Sequence, residues 1–222
     1  MNKEDKRIFT LNLQVQLMNV IFELSFLCKM GRESGAEMKL WTLQPVEVYD
    51  SIMKDGVYRC KPELSECLTE MNFYDAYDWL VGQMKEKIGQ PPQNVKYPVW
   101  AWHTTYGKHK KPDLRRMDFR SKELMVCLEI EKSDDQVLLS DEENWHFVLS
   151  NWYFSKSEED YNTFELMSSD EQEIIKRKSL ERIFLIETFK DDWISRGMFI
   201  QATFWELKKS DIRKVIYYGK RR

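Results

Sequence analysis

Between Glu123 and Glu131 every second residue is aliphatic, and this alternation constrains the fold of the chain more than any other feature. The apolar positions of the alternation are Leu124, Val126, Leu128 and Ile130. Side chains two residues apart on a strand point to the same face, so this pattern predicts a strand with one face on a hydrophobic core. The chain of 222 residues is 42% hydrophobic and 14% aromatic, which is enough apolar material for such a core.

Helices and other short strands are predicted around this strand. Pro45 and Gly56 bound one predicted helix, and residues 73–88 repeat apolar side chains at the spacing of an amphipathic helix. Further strands are predicted at 39–44, 57–60, 97–104, 137–139, 198–207 and 214–218. Because short strands and helices interleave irregularly, the sequence predicts an α+β fold, a single domain with a central mixed or antiparallel sheet flanked by helices. The strands near residues 40, 98, 126 and 202 should form that sheet.

Two more helices are predicted in the second half of the chain. Either Ser140 or Asp141 can cap the first, which would carry Trp145 and Trp152 on one side, facing the core. The second should begin at a capping box formed by Ser168 and Glu171 and continue to about residue 189. The acid-rich stretch from 155 to 161 is predicted to be a loop.

Residues 1–37 differ from the remainder and are predicted to be an appendage to a single domain over 38–222. Ile8–Leu27 is apolar, but interspersed polar residues argue against a membrane-spanning helix. Two interpretations fit this appendage. It is an amphipathic segment that packs on the domain or on a partner, or translation begins at Met38. The basic tail Lys220–Arg222 is expected to be solvated.

Charge and cysteine content exclude several classes of protein. The net charge of −3 and the pI near 5.8 argue against bulk binding of duplex nucleic acid, although a local basic patch remains compatible with a nucleic-acid ligand. The four cysteines form no CxxC pair and the three histidines are scattered, so neither a metal site nor a disulfide framework is predicted. Free thiols indicate a cytoplasmic protein. The oligomeric state stays open.

Aromatic and basic residues meet most densely between Tyr97 and Arg116. The alternation puts Trp100 and Trp102 on one side of a predicted strand and His103 on the other. A charged loop follows, which carries Lys111, Asp113 and Arg115. Flat rings beside cations suit a base, a nicotinamide or a phosphate. The alternative is a strand with tryptophans in the core and a solvated basic loop.

Two polar residues of the last long predicted strand are candidate catalytic groups. Gln201 and Glu206 are five residues apart, so a regular strand places them on opposite faces, and only a bulge would let both serve one site. A glutamate on an apolar face would have a raised pKa, which is typical of catalytic acids. The same position also fits a strand end at which Glu206 has reached solvent.

Three segments carry a resemblance to a known family. LWTLQ (40–44), the run from VWAW (99–102) to KPDLRR (111–116), and VLLSDEENWHFVLSNWYF (137–154) resemble the uncharacterised bacterial domain-of-unknown-function family 3841. The resemblance covers nearly everything from Met38 onward and is consistent with a start at that residue. It implies no activity, since none is established for the family.

The layout of residues 40–58 is similar to the opening of ADP-ribosyltransferase-like domains. That resemblance implies a nucleotide-handling domain, with NAD as a possible cofactor near Trp41 and Thr42 and with Gln201 at the position of the catalytic acid. The same opening also resembles RNA-binding modules of the ASCH or PUA type, in which Arg59 matches an arginine. This resemblance implies a non-catalytic module for single-stranded RNA or another small ligand. An interaction protein without a small ligand is the third possibility.

All ligand-binding interpretations share one expected location. A ligand should lie against Trp100 or Trp102 and the loop 108–116, where stacking and the loop cations act together. Asp113 lies within this basic run and is expected to orient Arg115 or Arg116 rather than to contact an anion.

Overall fold

A six-stranded antiparallel sheet forms the centre of the computed structural model, which describes residues 35–219. In chain order the strands are β1 (Glu37–Pro45), β2 (Val57–Tyr58), β3 (Val99–Thr104), β4 (Met125–Ser133), β5 (Leu138–Asp141), β6 (Phe189–Lys190), β7 (Ser195–Arg196), β8 (Ile200–Phe204), β9 (Leu207–Lys208) and β10 (Ile212–Tyr218). The helices are α1 (Val46–Asp55), α2 (Glu66–Thr69), α3 (Tyr74–Ile88), α4 (Glu142–Leu149), α5 (Glu158–Glu165) and α6 (Ser169–Ser179). Short 3₁₀ turns cover Pro62–Leu64, Asp134–Gln136, Leu180–Phe184 and Lys209–Asp211.

Antiparallel pairing joins every pair of neighbouring strands in the central sheet. Their spatial order is β10-β4-β1-β3-β8-β5, while β2 pairs with β9 and β6 with β7 in two small separate sheets. The predicted α+β class is confirmed, and so is the central position of the strands near residues 40, 98, 126 and 202. Edge strands β5 and β10 complete the sheet.

Both faces of the sheet are covered by hydrophobic side chains. The back face, which carries Leu40, Ala101 and Leu128, packs against Ile52 of α1. The front face, which carries Trp41, Trp102 and Gln201, is covered over part of its width by α3 and α4. The apolar alternation of β4 is therefore confirmed on the back face, since its apolar residues are fully buried there.

Local signals place the ends of two helices as predicted. Gly56 adopts φ +80°, and its N–H donates to the Ile52 carbonyl at 2.8 Å, which closes α1 with a left-handed residue. The capping box of α6 is present, because the Ser168 hydroxyl accepts from the Glu171 N–H while the Glu171 carboxylate accepts from the Ser168 N–H. However, α6 ends at Ser179 and a 3₁₀ turn follows, so the helix is shorter than predicted.

Two predictions in the second half of the chain are wrong. Trp152 is 64% exposed rather than in the core, because α4 ends at Leu149 and the chain turns at Asn151, which has φ +50°. The predicted loop at 155–161 contains the start of α5. The Ser157 hydroxyl caps that helix, and acidic residues in its first turn are favourable at the positive end of the helix dipole.

Backbone contacts group Glu37–Arg222 into one compact unit. The predictions on Ile8–Leu27 and on the tail Lys220–Arg222 concern residues outside the described range. Within residues 35–219, none of the helices has the length and apolar character needed to cross a membrane.

Candidate functional site

A row of six residues crosses the front face of the central sheet, one from each strand. From β10 to β5 they are Lys214, Glu129, Trp41, Trp102, Gln201 and Ser140. Directly opposed residues on antiparallel strands share one face, so the register brings three predicted site residues, Trp41, Trp102 and Gln201, side by side.

Trp41 is a fixed member of this row. It is buried, and its indole Nε1 donates to Glu129 Oε2 at 3.2 Å. The Lys39 ammonium lies 3.4 Å from the other carboxylate oxygen of Glu129. Burial of the Trp41 ring means that it supports the surface above it and offers little ring face of its own.

A change of register in β3 brings His103 to the front face. Trp102 pairs with Gln201 and Thr104 pairs with Ile200, so His103 is the extra residue of a bulge in β3. The prediction that His103 points away from Trp102 is therefore wrong. Its ring stacks on His109 with centroids 4.1 Å apart, and His109 contacts the Trp41 ring at 5.4 Å.

The basic loop folds back over β1 through the same histidine. His109 Nε2 donates to the Lys39 carbonyl at 2.8 Å, and Pro112 is buried beyond it. Burial raises the pKa of the Cys127 thiol to about 11, and the Lys111 ammonium opposes that rise. Within residues 35–219, Lys111 forms no ion pair.

Residues 111–115 of the loop line a hollow of about 340 Å³. Arg115 donates to both carboxylate oxygens of Asp113, from Nε at 2.8 Å and from Nη2 at 2.9 Å. These hydrogen bonds hold the pKa of Asp113 well below its usual range. The Arg115 side chain remains 90% exposed, so Asp113 fixes one edge of the guanidinium while the other edge faces solvent.

At the other end of the row, the Ser140 hydroxyl is buried and has no hydrogen-bond partner within residues 35–219. The Gln201 amide and the Glu142 carboxylate nearby are partly exposed. Ser140 is 1% exposed, and it lies directly opposite Gln201. Glu142 is the first residue of α4, and its N–H donates to the Phe199 carbonyl at 2.9 Å.

The Glu142 carboxylate lies in a setting that disfavours its charge. Burial raises its pKa, and the neighbouring acids Glu143, Asp141 and Asp118 add to that rise, whereas His146 one helical turn later opposes it. Sequence reasoning missed Glu142 and considered Ser140 only as a helix cap. The available signal was an acidic residue at a junction where a strand leads directly into a helix.

Aromatic residues surround Trp102. Its ring contacts Phe119 at 5.2 Å and Phe199 at 6.3 Å, and Phe199 contacts Tyr106 at 4.7 Å. The Tyr106 hydroxyl donates to Asp118, and the Arg116 guanidinium lies 4.0 Å from the centre of the Tyr106 ring. The C-terminal part of the loop therefore forms an aromatic surface with Trp102 and Phe199, close to Gln201.

Trp100 and Thr42 lie away from this surface. Trp100 contacts Tyr77 of α3 at 6.0 Å and Trp145 of α4 at 5.5 Å, within the front hydrophobic core. Thr42 is fully buried, and its hydroxyl donates to the Trp100 carbonyl at 2.8 Å. Both side chains therefore serve the packing of β1 and β3.

Arg59 and Glu206 form a separate ion pair. Arg59 donates to Glu206 Oε1 from Nε at 2.7 Å, and its Nη2 lies 2.6 Å from the same oxygen. The Lys132 ammonium donates to the Glu206 carbonyl at 3.0 Å. Strand β8 ends at Phe204, roughly 10 Å along the chain from Gln201 at about 3.3 Å per residue, so Glu206 lies beyond the strand and apart from the row.

The row and its loop offer hydrogen bonding, ring contact and cations, but no metal centre was identified. Among residues 35–219, no group of three or more histidine, cysteine, aspartate or glutamate side chains is arranged to hold a metal ion.

Comparisons with known proteins identify a family. Neither the search of curated proteins nor the search of solved structures returned a match. The sequence profile described as "Domain of unknown function (DUF3841)" matches residues 39–213, which is most of the chain and includes the row except Lys214, the basic loop and α4. The chain therefore belongs to the DUF3841 family of domains of unknown function.

Proposed function

We propose that this domain binds a nucleotide on the front face of its sheet. The phosphates lie at the loop 108–116, and the base lies against the surface formed by Trp102 and its aromatic neighbours. The function of the domain is thus nucleotide handling, and NAD is among the candidate ligands.

One observation carries the proposal, namely the attachment of the basic loop to the aromatic row through His109. This side chain contacts His103 and Trp41 and also donates to the backbone of β1. One end of the loop is thus held on the row, and Arg116 at its other end lies 4.0 Å from the centre of the Tyr106 ring, which supports binding of phosphate and base at the same time. Neither feature would bind a nucleotide well alone, because isolated surface cations contribute little and a single ring does not select a ligand.

The exposed parts of the site match the two halves of a nucleotide. Arg115 is pre-oriented by Asp113, which lowers the entropy lost when its free N–H groups bind a phosphate. Stacking of a base on an aromatic ring contributes about 1–3 kcal/mol. Gln201 carries a neutral amide, which can orient a ligand but cannot take up a proton at neutral pH, so binding is the primary role that we propose.

Isothermal titration calorimetry of the full chain with NAD, ADP, GDP and short single-stranded RNA tests the proposal. Lys111→Glu combined with Arg115→Glu should weaken nucleotide binding at least about ten-fold, because two phosphate contacts are reversed in sign. The matched control is Lys85→Glu with Lys190→Glu, which changes the charge equally at exposed positions elsewhere.

Loss of binding in the loop variant but not in the control supports the proposal. Equal binding by both variants, with folding intact, would exclude the loop as the phosphate site. Release of nicotinamide from labelled NAD, measured in the same samples, would establish an enzymatic activity.

Single-stranded RNA is the second candidate ligand, and the extent of the basic surface favours it. Lys108, Lys110 and Arg116 are exposed in addition to the two residues already named, which exceeds what one diphosphate needs. RNA binding that falls steeply with salt, together with no response to mononucleotides, would favour this alternative.

A further inference from the structure

We propose that the end of the row formed by Ser140, Gln201 and Glu142 reads the base of the nucleotide and selects guanine. This inference rests on the proposed function, since it names the class of nucleotide bound at the same site. It follows from one buried hydroxyl that has no hydrogen-bond partner in the described part of the chain, Ser140, and from the partly exposed polar side chains of Gln201 and Glu142 near it.

Buried polar groups in folded proteins are nearly always hydrogen-bonded, so an unpartnered hydroxyl in a well-packed strand needs an explanation. Ser140 is 1% exposed, and its hydroxyl belongs to the same face as Gln201. The Gln201 side chain, directly opposite on β8, is partly exposed. A ligand on the front face would contact Gln201 directly and would reach the Ser140 hydroxyl when the side chains that cover it shift.

Glu142 is placed to complete this set. It follows Ser140 by two residues, and its backbone is fixed by the hydrogen bond from its N–H to the Phe199 carbonyl at 2.9 Å. Phe199 in turn contacts Trp102, so the carboxylate belongs to the neighbourhood of the aromatic surface. A half-buried carboxylate without a partner is costly, and a ligand that donates hydrogen bonds to it relieves that cost.

The order of these groups along the row fits the order of groups in a nucleotide. The basic loop is attached to β1 at Lys39, Trp102 lies on the neighbouring strand β3, and Gln201 and Ser140 lie on β8 and β5. A nucleotide with its phosphates in the loop therefore presents the far edge of its base to the polar groups on β8 and β5.

Hydrogen-bond complementarity then selects the base. A carboxylate only accepts, and guanine offers it two adjacent donors, N1–H and the 2-amino group. The guanine O6 is an acceptor for the amide N–H₂ of Gln201 or the hydroxyl of Ser140. Adenine would present its unprotonated N1, an acceptor, to the carboxylate, and inosine lacks the 2-amino donor.

Titration of the full chain with GDP, IDP and ADP tests this inference. GDP should bind about ten-fold or more tightly than IDP or ADP, because each analogue leaves a hydrogen bond to a charged group unmade. Glu142→Gln should bring the affinities for GDP and IDP close together. The control Glu143→Gln changes the next residue of the same helix, which is exposed, and should keep the preference.

Ser140→Ala gives a second measurement that does not depend on the folding of the Glu142 variant. It removes a hydroxyl that has no protein partner in the described range, so the variant should fold normally and bind GDP several-fold more weakly. Unchanged GDP affinity in Ser140→Ala, or equal affinity of the wild type for the three nucleotides, would overturn the inference and leave the proposed function standing. Absence of any nucleotide binding by the wild type would overturn both.

Discussion

Replacement of Asp141 by alanine is expected to destabilise the domain strongly. The Asp141 side chain is fully buried at the junction between β5 and α4, between two residues of the proposed base-reading site. Its Oδ1 accepts from the Asn144 N–H at 3.0 Å, which caps α4, and its Oδ2 accepts from the Gly197 N–H at 2.6 Å. Alanine removes both acceptors and leaves the two donors without them.

The structure gives the size of the effect. Loss of an N-cap costs about 0.5–2 kcal/mol, and loss of a hydrogen bond to a charged group costs about 1.5–3 kcal/mol. Burial raises the pKa of Asp141 despite these hydrogen bonds, so removal of the charge offsets part of the loss. The net decrease in the free energy of unfolding should be about 2–4 kcal/mol, which lowers Tm by roughly 5–15 °C for a domain of this size.

Urea denaturation followed by tryptophan fluorescence measures this difference. Asp141→Asn keeps one carbonyl acceptor and most of the volume, so it should lose about half as much stability as the alanine variant. A decrease below about 1 kcal/mol for Asp141→Ala would refute the reasoning, because neither hydrogen bond would then stabilise the fold.

Three further outcomes are expected. Gly197→Ala should cost at least about 2 kcal/mol in the same denaturation assay, since Gly197 has φ +85° and an added Cβ would lie 2.6 Å from the Thr188 Cα. The wild type should lose stability relative to Glu142→Gln as the pH rises. Burial raises the pKa of Glu142 in the folded state above 4.5, so the stability that its protonated side chain contributes below pH 4.5 is lost as the pH passes the folded-state pKa. Parallel curves of Tm against pH for the two proteins would contradict this. Glu206→Gln should cost no more than about 1 kcal/mol and leave nucleotide binding unchanged, because its partner Arg59 is 46% exposed and the pair lies outside the row; weaker binding would extend the site to Glu206.

The sequence alone determined the features that depend on residues adjacent along the chain. The alternation of β4, the glycine that ends α1 and the capping box of α6 are local patterns, and each appears in the structure where it was predicted. The local signals were misleading where a short segment had two compatible conformations. The acidic residues after Ser157 led to the prediction of a loop, yet acidic residues are equally favourable in the first turn of a helix.

Tertiary structure alone decided which candidate residues meet. Trp41, Trp102 and Gln201 come from three separate strands, and only the strand order and register place them in one row. The same register, shifted by one residue at His103, reversed the predicted direction of that side chain, because a shift of one residue exchanges the faces of a strand.

The base-reading end of the site was beyond the reach of sequence reasoning for a related reason. Ser140 and Glu142 are ordinary residues at a strand end and a helix start, and their types carry no sign of function. The Ser140 hydroxyl is distinguished by its burial without a hydrogen-bond partner among residues 35–219, and Glu142 by partial burial of its carboxylate, and both properties depend on the neighbours that pack around them. The sequence thus determined the elements and the residue types, whereas long-range packing decided which polar groups were left for a ligand.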